Sequence, residues 1–346
     1  MRPTSPGPEA WFRHCYGQTP EAFASNLRGY LQRYPENKNR ISLLRPNIRY
    51  RIGLAYSFFL AETYTLLPFY ENHNVPFVFV LYPGGGFGIG NPHSDAMLKK
   101  IFASPHFRGV IVTQRITQKY LKQRNLCPKQ KVHYIYGGFV QFTDEEVPPK
   151  VSYPAQKKTF DIAFFGAKYS DNGVDKGYDL FIEAARLLAT HPNIRFHVIG
   201  GLGAEDIDVR DLGTKITFYG YQGPDFLRQF YASTDILLSP NRPGKLFEGN
   251  FDGFPIGIDA SYCGAALFVS DPLSMNAYYS NEVDIVLIPL EAKQIAKLIE
   301  SYYNKPEKLA KLAKRGQATT QKLFNTDLQI AARLSVFKQF LTLKND

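Results

Sequence analysis

Two aspartates in the segment DGFPIGID, residues 252–259, are the first candidates for chemistry. Asp252 and Asp259 lie seven positions apart around a Gly-Phe-Pro-Ile-Gly turn. A carboxylate can accept paired hydrogen bonds from a vicinal diol, which sugars and ribose both carry. The backbone amides of 253–257 would face any anion placed in the turn. A helix-start acid that binds no ligand also explains Asp259, and the segment alone does not decide between the two.

A second candidate lies earlier, in the segment AKYSDNGVDKGYDLF. Lys168 and Lys176 occupy one loop between an apolar run and a helix that is predicted to begin after Gly177. A helix amino terminus with two nearby lysines suits phosphate groups, because amide dipoles and ammonium charges then point at the same anion. The alternative interpretation is that both lysines are exposed to solvent in the loop and bind no ligand.

A glycine-rich segment, PGGGFGIGNPHSD, follows the apolar run 75–82. Gly85 and Gly86 would let the backbone approach a ligand closely, since glycine has no side chain to keep it away. His93 and Asp95 are the polar pair of this segment that could reach a reacting centre. A loop histidine held by a structural hydrogen bond is the alternative for His93.

The elements around these segments predict an α/β protein. Between residues 160 and 289, short apolar runs typical of buried strands alternate with amphipathic helical stretches, which indicates a parallel sheet with helical crossovers. The first half has apolar runs at 75–82, 109–114 and 131–138, and the proline-rich stretch 141–158 has the composition of a linker. We therefore expect two Rossmann-like domains facing each other across a cleft, with ligands beyond the carboxyl ends of the strands.

Composition separates the two halves. Residues 1–158 carry 21 Lys/Arg against 9 Asp/Glu, a net +12, whereas residues 159–346 carry 20 against 22, a net −2. The basic half predicts an anionic partner, and an ordinary solvated basic surface is the alternative. The three scattered cysteines, the absence of a long apolar segment and the polar N-terminus predict a cytoplasmic protein. Peripheral contact with the inner face of an anionic membrane fits the charge of the first half.

The order of motifs from about 160 to 325 resembles the donor half of GT-B retaining glycosyltransferases of family 4, the glycosyl transferases group 1 type. The motifs are FFGAK, KGYDLFIEAARLL, FHVIGG, ITFYGYQGPDFLRQFYASTDILLSP, DGFPIGIDASYCG and VSD. The resemblance implies an acceptor-side domain over residues 1–150, shorter than usual, and a donor-binding domain over 159–325. It also implies that a last helix in 326–346 packs back on the first domain.

For the donor nucleotide, the resemblance implies that Lys168 and Lys176 neutralise the diphosphate. Tyr221 would lie at the base through its backbone, and Asp259 would hold the ribose diol. The family usually has two glutamates eight positions apart, whereas this chain has two aspartates seven apart. The loop from Lys168 to Lys176 is about three residues longer than the common form.

For the transferred sugar, the resemblance implies that Asp252 and the amides of Gly253 and Phe254 bind its hydroxyl groups. His93, Asp95 and Asp252 are then the candidate catalytic residues. Gly85 and Gly86 would approach the donor from the opposite domain. The predicted enzyme is a hexosyl- or related glycosyltransferase that retains the anomeric configuration and uses no metal or other cofactor. Its predicted partners are a nucleotide sugar and a glycan or lipid-linked acceptor.

Two other functions remain open at the level of sequence. The segment VIGGLGAED, 198–206, weakly matches the dinucleotide fingerprint, which would indicate an NAD-dependent oxidoreductase. A non-catalytic protein that binds anionic surfaces or nucleic acid would also explain the basic first half. Nucleic acid is not an expected partner, because the first half lacks basic residues interleaved with aromatic residues on its strands.

Overall fold

The computed structural model describes residues 20–41, 51–140, 142, 146–244 and 257–341. These residues form two separate parallel sheets with helices packed against them, which confirms the predicted α/β class. Within the same ranges, no helix is both long and apolar enough to cross a bilayer.

The amino-terminal sheet has four strands in the order β1-β2-β3-β4. Every residue of β2 is buried, as expected for a strand covered on both faces. The strands are β1 Ala55–Phe58, β2 Phe77–Leu81, β3 Phe107–Val112 and β4 Val132–Tyr134, and the helices are α1 Pro20–Arg33, α2 Leu60–Asn72, α3 Pro92–Ala103 and α4 Arg115–Gln123. The predicted strand 131–138 is therefore much shorter than expected, because β4 is an edge strand that pairs on one side only.

The second sheet has six strands in the order β10-β9-β8-β5-β6-β7. The strands are β5 Phe160–Gly166, β6 Ile194–Gly200, β7 Ile216–Phe218, β8 Ile236–Ser239, β9 Ala266–Val269 and β10 Val286–Leu287. The helices are α5 Tyr178–Leu188, α6 Pro224–Ser233, α7 Ile258–Tyr262, α8 Ala292–Tyr303, α9 Pro306–Phe324 and α10 Thr326–Leu341. The strand order reverses between β5 and β8, so the crevice at their carboxyl ends is where such sheets bind ligands.

The last helix belongs in space to the first half. Val336 of α10 is buried against Val78, Val80 and Ile111 of the amino-terminal sheet. On the same helix, Gln329 donates a 3.0 Å hydrogen bond to the backbone carbonyl of Tyr136. The chain therefore passes between the halves twice, once before β5 and once between α9 and α10.

A buried polar cluster braces the second sheet at its amino edge. Lys157 forms ion pairs of 2.5 Å with Asp161 and 2.7 Å with Asp235, and the Nε2 of His197 lies 2.8 Å from Asp161. Asp235 also accepts hydrogen bonds from the backbone amides of Asp161 and Tyr153. Burial would raise the pKa of Asp161, but the hydrogen bond from His197 and the charge of Lys157 outweigh it and lower the pKa to about 2.

Candidate active site

The loop after β5 lies at the crevice where the strand order reverses. Its last residues form a 3-10 helix, Asp171–Lys176, and α5 begins directly after Gly177. Lys176 is 8% exposed, and its ammonium lies 5.3 Å from the centroid of the Tyr169 ring. Burial lowers the pKa of Lys176, against the opposing charge of Asp175. An anion bound here would favour the charged form of this lysine.

Lys168 joins two loops of this crevice. It forms an ion pair with Asp206, which follows β6, and the other oxygen of Asp206 accepts a 3.0 Å hydrogen bond from the amide of Gly203. The hydrogen bond to Asp206 raises the pKa of Lys168. Lys168 therefore already has an acidic partner, which it would exchange for a phosphate on binding a diphosphate.

Two buried acceptors lie near these lysines. The carboxylate of Asp175 and the side-chain amide of Asn241 are 2% and 3% exposed. Each has one oxygen, Oδ2 and Oδ1 respectively, without a hydrogen-bond partner among the residues that the structure describes. A buried acceptor normally accepts a hydrogen bond, so we expect water or a ligand to donate one to each of these oxygens. No local sequence pattern marks either residue, although Asp175 directly precedes Lys176 and Asn241 directly precedes Arg242.

Arg242 fixes the end of β8 to the start of α5. Its amide donates a 2.8 Å hydrogen bond to the carbonyl of Asp175, and its Nη1 lies 2.5 Å from the Oδ1 of Asp179. Because Asp179 lies in the first turn of α5, this ion pair holds together the two elements that frame the crevice.

Tyr221 meets Lys168 at the end of β6. The Tyr221 side chain is 70% exposed. A Cβ added at Gly201 would lie 2.6 Å from the hydroxyl of Tyr221 and 3.1 Å from the amide nitrogen of Lys168. The hydroxyl of Tyr221 and the backbone of Lys168, two residues predicted for the donor nucleotide, therefore both lie next to Gly201. The predicted use of the Tyr221 backbone for the base stays a prediction.

Asp259 lies in the first turn of α7 and is partly buried. Burial raises the pKa of the neighbouring Cys263 to about 12, and the negative charge of Asp259 adds to that rise. The other predicted residues of this segment, Asp252, Gly253 and Phe254, lie outside the described residues.

The glycine-rich loop of the first half packs against the start of α2. The carbonyl of Gly85 accepts a 2.9 Å hydrogen bond from the amide of Ala61, and a Cβ at Gly86 would lie 3.0 Å from the Cβ of Ala61. Phe59, between β1 and α2, has φ 62° and ψ 158°, a backbone conformation that residues other than glycine rarely adopt. No sequence pattern marks Phe59 as a residue of the site.

His93 and Asp95 are in different environments although they are close in sequence. His93 is exposed at the start of α3, where Asn91 caps its amide at 2.9 Å. Asp95 is buried and accepts a 2.8 Å hydrogen bond from the hydroxyl of Tyr120. Arg124 lies 3.5 Å from the same carboxylate. Asp95 therefore joins α3 to α4, whereas His93 is free of that network.

A cavity of about 340 Å³ lies between the two halves. The first half lines it at the carboxyl ends of its strands, and the second half lines it at the start of α7 and the end of α9. Its lining includes Phe59, Tyr82, Gln114 and Phe139 on one side and Ile258 and Phe324 on the other. Of α7, only Ile258, which directly precedes Asp259, is among the described residues that line the cavity.

Comparison with known families matches residues 161–319 to the family model described as glycosyl transferases group 1. The similarity covers most of the second half of the chain, including both sequence segments proposed above for the donor nucleotide. Comparison with curated proteins gives no significant match.

Solved structures show that the whole chain has the GT-B fold, as predicted. Sucrose-phosphate synthase from Thermosynechococcus elongatus has a TM-score of 0.65 and 18% identity, covering 93% of this chain and 78% of that one. A glycosyltransferase from Rickettsia africae ESF-5 has a TM-score of 0.65 and 16% identity, with 100% and 85% covered. Anabaena Alr3699/HepE in complex with UDP has a TM-score of 0.59 and 19% identity, with 82% and 78% covered.

The segment VIGGLGAED does not have the structure that a dinucleotide fingerprint requires. The fingerprint needs a helix directly after the strand, so that the pyrophosphate meets a helix terminus. Here β6 ends at Gly200 and leads into a loop, and the next helical element is the 3-10 helix Arg210–Lys215. The structure of this segment therefore does not support the hypothesis of an NAD-dependent oxidoreductase.

Proposed function

We propose that this protein is a glycosyltransferase that moves a hexose from a nucleoside diphosphate sugar to an acceptor held against the first half. The observation that carries the proposal is the loop of Lys168 and Lys176, located at the strand-order reversal of a glycosyltransferase group 1 domain. UDP is the first nucleotide to test, because the similar HepE structure contains it.

In this proposal the diphosphate binds between Lys176 and the amino terminus of α5. The diphosphate lies beside the buried ammonium of Lys176, and the helix amides supply hydrogen bonds. Lys168 turns from Asp206 to the diphosphate. Asp259 holds the ribose hydroxyls, and Tyr221 lies by the base at the exposed end of the crevice.

The sugar then occupies the side of the crevice that faces the first half. Asp252, with the amides of Gly253 and Phe254, binds its hydroxyl groups. Gly85 and Gly86 border it from the opposite side. His93 is the candidate catalytic residue from the first half, because it is exposed, and Asp95 positions α3 through its hydrogen bond to Tyr120.

The proposed reaction retains the anomeric configuration. The bond between the anomeric carbon and the diphosphate oxygen breaks, and the acceptor hydroxyl attacks from the same face. The acceptor proton passes to the departing phosphate oxygen. Lys176 and Lys168 stabilise the negative charge that develops on the leaving diphosphate, which is the main electrostatic task of such a site. The proposal requires no metal ion.

The test is release of nucleoside diphosphate from UDP-sugars, followed by the anomeric configuration of the product by NMR. Excess EDTA should leave the rate unchanged. Lys176→Ala should lower nucleotide binding by about 10- to 100-fold, as expected for loss of a charged hydrogen bond. The exposed Lys158→Ala is the matched control. If no nucleotide or nucleotide sugar raises the melting temperature of the wild-type protein, the proposal fails.

A further inference from the structure

Arg333 of α10 is a buried cation at the wall of the cavity between the halves. It is 3% exposed. Its Nη1 donates to the backbone carbonyl and the Oε1 of Gln329, at 2.9 and 2.7 Å. Its Nη2 lies 3.3 Å from the hydroxyl of Tyr82, and its guanidinium carbon lies 4.5 Å from the centroid of the Phe139 ring. Tyr82 and Phe139 both line the cavity, so the guanidinium lies directly behind its surface.

No acidic side chain in the described ranges balances this charge. The Nε of Arg333 has no partner there, and all of its contacts are neutral groups. Tyr56 lies close by, but burial raises its pKa in spite of Arg333, so Tyr56 stays neutral too. A buried charge without a counter-charge costs free energy of desolvation. Because water screens a buried charge poorly, the attraction between Arg333 and a nearby anion is strong.

The same cavity meets the amino terminus of α4. Gln114 lines the cavity and directly precedes the helix, whose first turn contains no acid. Its first residue is instead Arg115, which is exposed, lies 5.6 Å from the centroid of the Tyr134 ring and interacts with the side-chain hydroxyl of Tyr278. A cation at a helix amino terminus opposes the helix dipole, so the fold alone does not favour it. An anion placed there would interact favourably with the positive end of the helix dipole and with the guanidinium of Arg115.

We propose that the sugar acceptor carries an oxyanion group, such as a phosphate, and that this group binds in the cavity between Tyr82 and the start of α4. The inference rests on the proposed function, since it assigns this half of the cleft to the acceptor. Arg115 contacts the anion at the edge of the cavity. Arg333 acts through Tyr82 as a positioning residue, because its charge polarises the hydroxyl that donates to the anion.

The experiment titrates inorganic phosphate into the full-length protein and follows the melting temperature, with and without saturating UDP. UDP occupies the donor site, so the remaining phosphate response belongs to the cavity. Arg115→Gln and Arg333→Gln should each weaken this response about tenfold or more. Lys122→Gln, at the other end of α4, is the matched control and should not change it. Arg333→Lys should restore much of the affinity, which a purely structural role would not predict.

An unchanged phosphate affinity in a folded Arg115→Gln protein would overturn the inference, and this variant decides the matter if Arg333→Gln does not fold. Failure of UDP to stabilise the protein would instead count against the proposed function, whereas an Arg115-dependent phosphate response would still stand. Vesicles of phosphatidylglycerol, compared with phosphatidylcholine, identify the source of the anion. Arg115-dependent capture places it on a lipid, and a phosphate response without capture places it on a non-lipid acceptor.

Discussion

The Cα of Gly177 packs so closely on the backbone of Pro240 that an added Cβ would overlap the Pro240 carbonyl oxygen. Gly177 also has φ 70°, which is left-handed backbone that favours glycine. This contact sets the start of α5 against the end of β8. It therefore fixes the crevice in which we place the diphosphate.

The first prediction concerns this contact. Gly177→Ala combines backbone strain of about 1–2 kcal/mol with a collision against main-chain atoms that cannot move aside easily. We expect it to lower the free energy of unfolding by more than about 2 kcal/mol and to abolish UDP-induced stabilisation. Gly90→Ala is the control, since Gly90 has φ 75° and open space around its Cα. If urea unfolding gives the same loss in free energy of unfolding for both variants, the contact between Gly177 and Pro240 does not limit the site.

The second prediction compares adjacent glycines of the loop after β2. Gly84 and Gly85 both have positive φ, but only a Cβ at Gly85 would enter the ring of Phe59, while Gly84 has open space. Gly85→Ala should therefore reduce turnover strongly, whereas Gly84→Ala should show mainly the cost of backbone strain.

A double-mutant cycle checks the cause of that difference. If the Phe59 side chain is the obstacle, Phe59→Gly, which removes both the ring and the Cβ atom 2.6 Å away, should recover part of the turnover lost in Gly85→Ala, giving a non-additive pair. Additive effects on turnover would show that Gly85 is sensitive for another reason.

The third prediction separates binding from stability at Lys176. Because burial disfavours its charged form, Lys176→Met should leave the ligand-free protein as stable as the wild type or slightly more stable. The same variant should lose UDP-induced stabilisation. Melting temperatures with and without UDP measure both effects. A marked loss of stability without UDP would mean that Lys176 mainly supports the fold.

The protonation of Lys176 gives this prediction a pH dependence. Its folded-state pKa lies below the ordinary value of 10.5, so the native state binds its proton less firmly than the unfolded chain does. This lysine therefore adds stability as the pH rises toward 10.5. Lys176→Met should remove that part of the alkaline gain in the ligand-free protein.

The fourth prediction concerns acid unfolding. The folded-state pKa of Asp161 is about 2, against an ordinary 3.8, so its carboxylate stabilises the fold above pH 3.8. The contribution, roughly 2 kcal/mol, is lost progressively as the pH falls from 3.8 through 2. Asp161→Asn should lower stability at neutral pH and flatten this limb of the pH profile. Urea unfolding from pH 7 down to pH 2 measures it, with the exposed Asp225→Asn as control.

The sequence predicted the fold well where burial is complete. Central strands such as β2 and β8 are continuous apolar runs because both faces are covered, and such runs are readable without a structure. The edge strand β4 was predicted too long, as residues 131–138, since it pairs on one side only and the observed strand is Val132–Tyr134.

The candidate site was only half predictable. The loop of Lys168 and Lys176 was found because strand end, lysines and helix start are consecutive in sequence. Asp206, Phe59 and Arg333 were missed because their partners are distant along the chain and no local pattern marks them. Asp95 was found, but its burial against Tyr120 depends on helix packing that no spacing rule reveals.

The two passages of the chain between the halves have a mechanical consequence. One connection precedes β5 and the other links α9 to α10, so the halves are attached along a line rather than at a single point. Residues of both halves also share one buried hydrophobic cluster, which includes Val112, Tyr262 and Phe324. Two connections and a shared cluster restrain rotation of one half over the other more than a single linker would, and cutting the chain between α9 and α10 would remove one of these restraints.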